Sequence, residues 1–81
     1  MPLAFVLINA KLGSEEEVVK ELKKLPNVKE VYVVYGVYDL IVKVEAESLD
    51  KLKEYIFSRI RQMDKIRSTL TMIVTSSFSE M

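Results

Sequence analysis

The sequence predicts an α+β sandwich of order β-α-β-β-α-β, and three observations predict it. Two segments carry apolar residues at helical spacing, each behind a serine placed to cap it. Four short runs rich in Val, Ile, Leu and Thr surround them with strand-like alternation. The chain has 81 residues, enough for one domain and no more.

Leu3–Ala10 (LAFVLINA) is aliphatic, partly β-branched and too short for a buried helix, so it reads as strand one. Gly13-Ser14 breaks it. Ser14 and Glu17 are spaced as a capping box, followed by Val18, Val19, Leu22 and Leu25 at helical intervals, until Pro26-Asn27 stops the helix. Val28–Tyr35 is strand two, with Val31, Val33 and Tyr35 on one face and Tyr32 and Val34 on the other. Gly36-Val37-Tyr38-Asp39 is a tight connection. Strand three, Leu40–Ala46, sets Leu40, Val42, Val44 and Ala46 against Ile41, Lys43 and Glu45. Ser48 caps a second helix whose stripe is Leu49, Leu52, Tyr55, Ile56, Ile60 and Met63. Ile66–Thr75 is strand four, and Ser76–Met81 reads as a frayed tail.

Two right-handed crossovers and one hairpin give the ferredoxin-like sandwich: an antiparallel four-stranded sheet in the order 4-1-3-2, with both helices on one face. Strand one is read as parallel to strand three and antiparallel to strand four. On that reading Gly36 and Asp39 cluster with Thr75, Ser76 and Ser77 along one sheet edge, within one copy or across an interface. Leu40 and Leu70 are taken as the helix side. The other face then carries Ile41, Ile73, one apolar set from strand one and several threonines. Soluble monomers seldom leave a contiguous apolar face of that size open. A sheet-to-sheet homodimer is expected, against the alternative of a monomer with a greasy open face.

Composition excludes several functions. Twelve Lys and Arg balance twelve Asp and Glu, a poor basis for phosphate-dominated nucleic-acid binding; Arg59, Arg61 and Arg67 read as a solvated face. There is no Cys and no His, so disulfides are excluded and no metal or other cofactor is expected. The opening MPLAFVLINAKLG has neither a basic leader nor the ~20 apolar residues of a membrane span. A soluble, cytoplasmic protein is expected. Lys and Glu richness without Cys, His or Trp leans toward a thermophile. Catalysis lacks its usual groups: the serines have no histidine base and two glycines make no phosphate cradle. If the chain were nonetheless a small dimeric α+β-barrel enzyme, Lys43, Tyr32 and Thr71 would be the suspects. A purely structural oligomerisation module is the third reading.

Gly36-Val37-Tyr38-Asp39 admits two readings. One is a hairpin turn, with glycine at positive φ and an aspartate side chain bonding its own turn. The other is a zwitterion site: exposed amides beside the glycine receive a carboxylate and Asp39 receives an ammonium. Neither excludes the other.

The run Val28–Val44 resembles the effector-binding half, or RAM domain, of Lrp/AsnC regulators. That family shows V-x-E-x-x-x-x-x-G-x-[YF]-D entering an apolar strand, here Val28, Glu30, Gly36, Tyr38 and Asp39. The threonine-alternating Ser68–Val74 is similar to the family's last strand, and the likeness extends over the whole chain. The resemblance implies dimers of ferredoxin-like units built into octamer-like or larger rings, with amino acids bound near the β2–β3 hairpin. Carried over by position, Gly36, Tyr38 and Asp39 match, Val37 supplies backbone, and Thr75, Ser76 and Ser77 complete the expected site. Tyr35 stands where many members have threonine, and Val37 where many have a polar residue. No helix-turn-helix precedes strand one, so a stand-alone RAM module over residues 1–81 is expected, reaching DNA only through a partner such as a full-length Lrp/AsnC regulator.

Overall fold

The computed structural model describes residues 1–79; the last two residues of the expected tail lie outside this range. The elements are β1 (Leu3–Ala10), α1 (Glu15–Lys23), β2 (Val28–Val33), β3 (Leu40–Glu45), α2 (Leu49–Tyr55) and β4 (Ile66–Ile73). The sheet order is β2-β3-β1-β4 and every pairing is antiparallel. Element order, sheet order and fold class are as the sequence predicts.

The direction of strand one is not. β1 runs antiparallel to β3, from Leu3 opposite Glu45 to Ile8 opposite Leu40. A β-α-β unit that leaves a slot for β3 makes β1 and β2 parallel, and the hairpin then forces β3 to run against both. The start of β3 therefore meets the end of β1, not its beginning.

The core is one layer between the sheet and the helices. Alternation buries Ala4, Val6, Ile8 and Ala10 from β1, and Leu40, Val42 and Val44 from β3. Val18 and Leu22 from α1 close it, with Leu52, Ile56 and Ile60 from the second helix. Among the described residues no charged side chain is buried. Leu49, expected in the stripe, is 44% exposed at the helix start.

Partners across a ladder share a face, and this reassigns β4. Thr71 pairs with buried Val6 and Ile73 with Ala4, so Thr69, Thr71 and Ile73 face the helices. Leu70 pairs with Leu7 and Met72 with Phe5, on the open face. Leu70 is thus on the opposite face from Leu40, and the threonines are not on the open one. That face carries Leu3, Phe5, Leu7, Ile41, Leu70 and Met72, with Tyr32 at its margin. Lys43 answers Glu30 there at 3.8 Å.

The helix starts also differ from each other. Ser48 accepts a bond from the Lys51 amide at 3.2 Å, an ordinary N-cap. Ser14 makes no side-chain cap bond, so the expected capping box is not formed. α2 widens into a π-helical turn, Ile56–Ile60, closed by the Arg61 amide donating to the Ile56 carbonyl at 3.0 Å. Residues four apart creep about 40° round an α-helix at each step. The wider turn takes that back and keeps Leu52, Ile56 and Ile60 on the core.

Candidate functional site

The β2–β3 connection is longer than the sequence suggests. β2 ends at Val33, and the chain bends through Tyr35–Asp39 before β3 begins. The loop is closed by the Val34 amide donating to the Asp39 carbonyl at 2.9 Å. Tyr35 and Val37 stand fully out of the protein, Gly36 is exposed, and Tyr38 and Asp39 are half-buried. The amides of Tyr35, Gly36, Val37 and Tyr38 make no backbone bond among the described residues. They are four donors on a short arc.

Gly36 does not take the positive φ expected of it; Gly13 does, at 80°. A methyl group at Gly36 would meet nothing within 4 Å. Turn geometry within one copy therefore gives no reason for glycine here.

Asp39 is the best-connected residue of the loop. Its amide donates to the Ile8 carbonyl at 2.9 Å, and its carboxylate Oδ2 accepts from the Ala10 amide at 3.0 Å. The aspartate bond joins residues 29 apart in the chain, so the expected local turn bond is in fact a tie to β1. Ala10 and Ile8 contribute backbone alone, and no side-chain motif announces such a partner.

Thr75, Ser76 and Ser77 do not join this site within one copy. The Val74 amide donates to the Leu3 carbonyl, at the far end of β1 from Asp39. The hairpin and the tail are roughly 20 Å apart along the strands. The single-edge cluster fails because it rested on the wrong direction for strand one; what stays open is a meeting across two copies.

Elsewhere, a groove of about 600 Å³ runs beside α2, lined by Asn27, Glu47, Lys51, Glu54 and Tyr55 among others. Its cation is already engaged: Lys51 meets Glu47 at 3.0 Å, and that contact holds the Glu47 carboxyl below its usual pKa. Among the described residues no group of three His, Cys, Asp or Glu side chains could hold a metal. Lys43 and Tyr32 lie on the open face while Thr71 faces the helices, so the three suspects for catalysis form no cluster. Arg59, Arg61 and Arg67 are all exposed, and Arg61 stacks 5.6 Å above the Phe57 ring. No helix among the described residues is long and apolar enough to cross a membrane.

Residues 3–81 match the model of the Lrp/AsnC ligand binding domain. An uncharacterized HTH-type transcriptional regulator of Pyrococcus abyssi is 38% identical over 74 residues, which cover 91% of this chain and 47% of that protein. The chain spans about half the length of the curated relatives it matches. Relatives from Pyrococcus fit the thermophile lean of the composition. The crystal structure of FFRP-DM1 is 50% identical, with a TM-score of 0.89, over 91% of this chain and 99% of that one. A Neisseria meningitidis transcriptional regulator, solved as an L-Met complex, shares the fold at a TM-score of 0.87 and 11% identity, over 98% of this chain and 53% of that one.

Proposed function

The chain belongs to the Lrp/AsnC ligand-binding domain family, and we propose that it senses a free amino acid at the Gly36–Asp39 hairpin and assembles through its open sheet face. The observation that carries this reading is the hairpin itself. Four unbonded amides, Tyr35 to Tyr38, flank a half-buried carboxylate, Asp39. Amides suit a carboxylate and Asp39 suits an ammonium, the two ends of an amino acid. The L-Met complex of the Neisseria neighbour supports that ligand class.

Gly36, Val37, Tyr38 and Asp39 form one half of the site. Thr75, Ser76 and Ser77 of a second copy supply the other half, hydroxyls at a chain end that no contact within one copy brings near. The homodimer packs open face on open face, and dimers join into octamer-like or larger rings with ligand at the junctions. Binding and assembly are then coupled, since a ligand that prefers one assembly raises its population. The protein works as a binding module in the cytoplasm, not as an enzyme. A full-length Lrp/AsnC regulator is the partner through which this module would reach a promoter. FFRP-DM1, spanned almost end to end, supports a module of this size.

Calorimetric titration with each of the twenty amino acids, followed by light scattering, tests the reading. Heat from one or a few of them is expected. An oligomer that ignores all twenty would leave a structural module.

A further inference from the structure

The β1–β3 ladder ends one rung early. Its last pair is Ile8 with Leu40, and two residues further along the pairing would fall on Ala10 and Tyr38. By then the chain has left β3 for the hairpin, so the Ala10 amide has no carbonyl opposite. The Asp39 carboxylate fills that place, at 3.0 Å. A buried amide without an acceptor is costly, and a charged acceptor makes the stronger bond. Asp39 also donates through its own amide to Ile8 and accepts at its carbonyl from Val34. One residue thus holds three strands, β1, β2 and β3, at the root of the exposed loop.

Ala10 is itself the point where β1 changes register with β4. Asn9 pairs with Ser68 and Ala10 with Ile66, which leaves Arg67 unpaired in a bulge. One residue on, the Lys11 amide donates to the Lys65 carbonyl at 2.8 Å.

We infer that Asp39 is a positioning residue: its carboxylate replaces the missing rung of the β1–β3 ladder, fixes the four hairpin amides in place, and ties the loop through Ala10 to the β1–β4 bulge. That these amides form an effector site rests on the function proposed above; the clasp does not. An incoming ammonium would share Asp39 with Ala10, through the oxygen the clasp leaves free, and a change at the loop would be felt at the bulge on the other side of β1.

Amide hydrogen exchange followed by NMR separates the roles. In Asp39→Ala the Ala10 amide should exchange roughly ten- to a hundredfold faster, the range for losing a bond to a charged acceptor. Asp39→Asn keeps an acceptor oxygen and should restore Ala10 protection to within about threefold of wild type. The same Asn variant lacks the charge, so any amino acid that binds wild type should bind it at least about tenfold more weakly. Unchanged Ala10 exchange in Asp39→Ala would overturn the clasp. Should that variant fail to fold, the wild-type protein decides: the Ala10 amide shift must follow the titration of the Asp39 carboxyl, and an Ala10 signal indifferent to it is equally fatal. Wild type that binds none of the twenty amino acids while Ala10 responds as stated would remove the effector reading and leave the clasp standing.

Discussion

Ser14 and Ser48 hold the same place before their helices and do different things. Ser48 lies in the extended region, at φ −138° and ψ 163°, where a capping side chain can turn back to the helix amides. Ser14, at φ −106° and ψ 6°, makes no such bond. Ser48→Ala should therefore cost about 1 kcal/mol, and Ser14→Ala no more than about 0.5 kcal/mol, by urea denaturation. The sequence S-x-x-E is legible as a cap signal, but the backbone angle that arms it is set by the Gly13 turn and cannot be read from spacing. Glu47 and Lys51 give a second test at this scale. The hydrogen bond to Lys51 lowers the Glu47 pKa in the folded state. A depressed acid contributes stability above its unfolded pKa and loses it as pH falls through its folded one. The pair is exposed, so the contribution is small. The clearer readout is the Glu47 carboxyl titration by NMR, which Lys51→Ala should move up toward the ordinary glutamate value.

At the scale of elements, the two glycines look alike in sequence and are opposite in structure. Gly13 sits at φ 80°, where a side chain is strained, while Gly36 has ordinary backbone and open space around it. Gly13→Ala should destabilise by about 1–2 kcal/mol. Gly36→Ala should leave thermal stability unchanged within about 0.5 kcal/mol and, on the proposed function, act only on amino-acid binding, where a methyl group would narrow a ligand's approach to the amides. Equal loss of stability in both variants would contradict this difference. The alternation of β4 shows a related limit. Period two says that Leu70 and Met72 share a face, but not which face is inward. The larger apolar set points away from the helices because β4 is an edge strand, where Leu7 and Phe5 give it partners on the open side. In β3 the inward set was legible, because Lys43 and Glu45 mark the other face; in β1 both sets are apolar, Ala4, Val6 and Ile8 against Leu3, Phe5 and Leu7, and period two leaves the choice open. The π-helical turn left no trace in the sequence, since its residues keep an α-like spacing of four.

For the whole molecule, surface area argues for assembly. A folded monomer of 9.3 kDa is expected to expose about 5,000 Å², whereas this chain exposes 5850 Å². The excess is close to the roughly 800 Å² that each partner gives to a standard interface. Part of the exposed apolar area lies on the open face: Leu70 and Met72 are nearly half exposed, and Phe5, Leu7 and Ile41 are only partly covered. A second copy placed face to face would bury them, and the Lys43–Glu30 pair would lie within or beside the contact. Ile41→Asp sets a carboxylate in the middle of that face. Purified wild type should sediment as a dimer or larger at micromolar concentration, and Ile41→Asp as a monomer that keeps its far-ultraviolet circular dichroism. Met72→Lys gives the same test at a position where a lone chain tolerates lysine, because that side chain is 48% exposed. It still decides the question if Ile41→Asp does not fold. Either variant retaining the wild-type mass would mean that the apolar face is not the interface. The hairpin and the tail, at opposite ends of the sheet, would then have to meet through some other contact between copies.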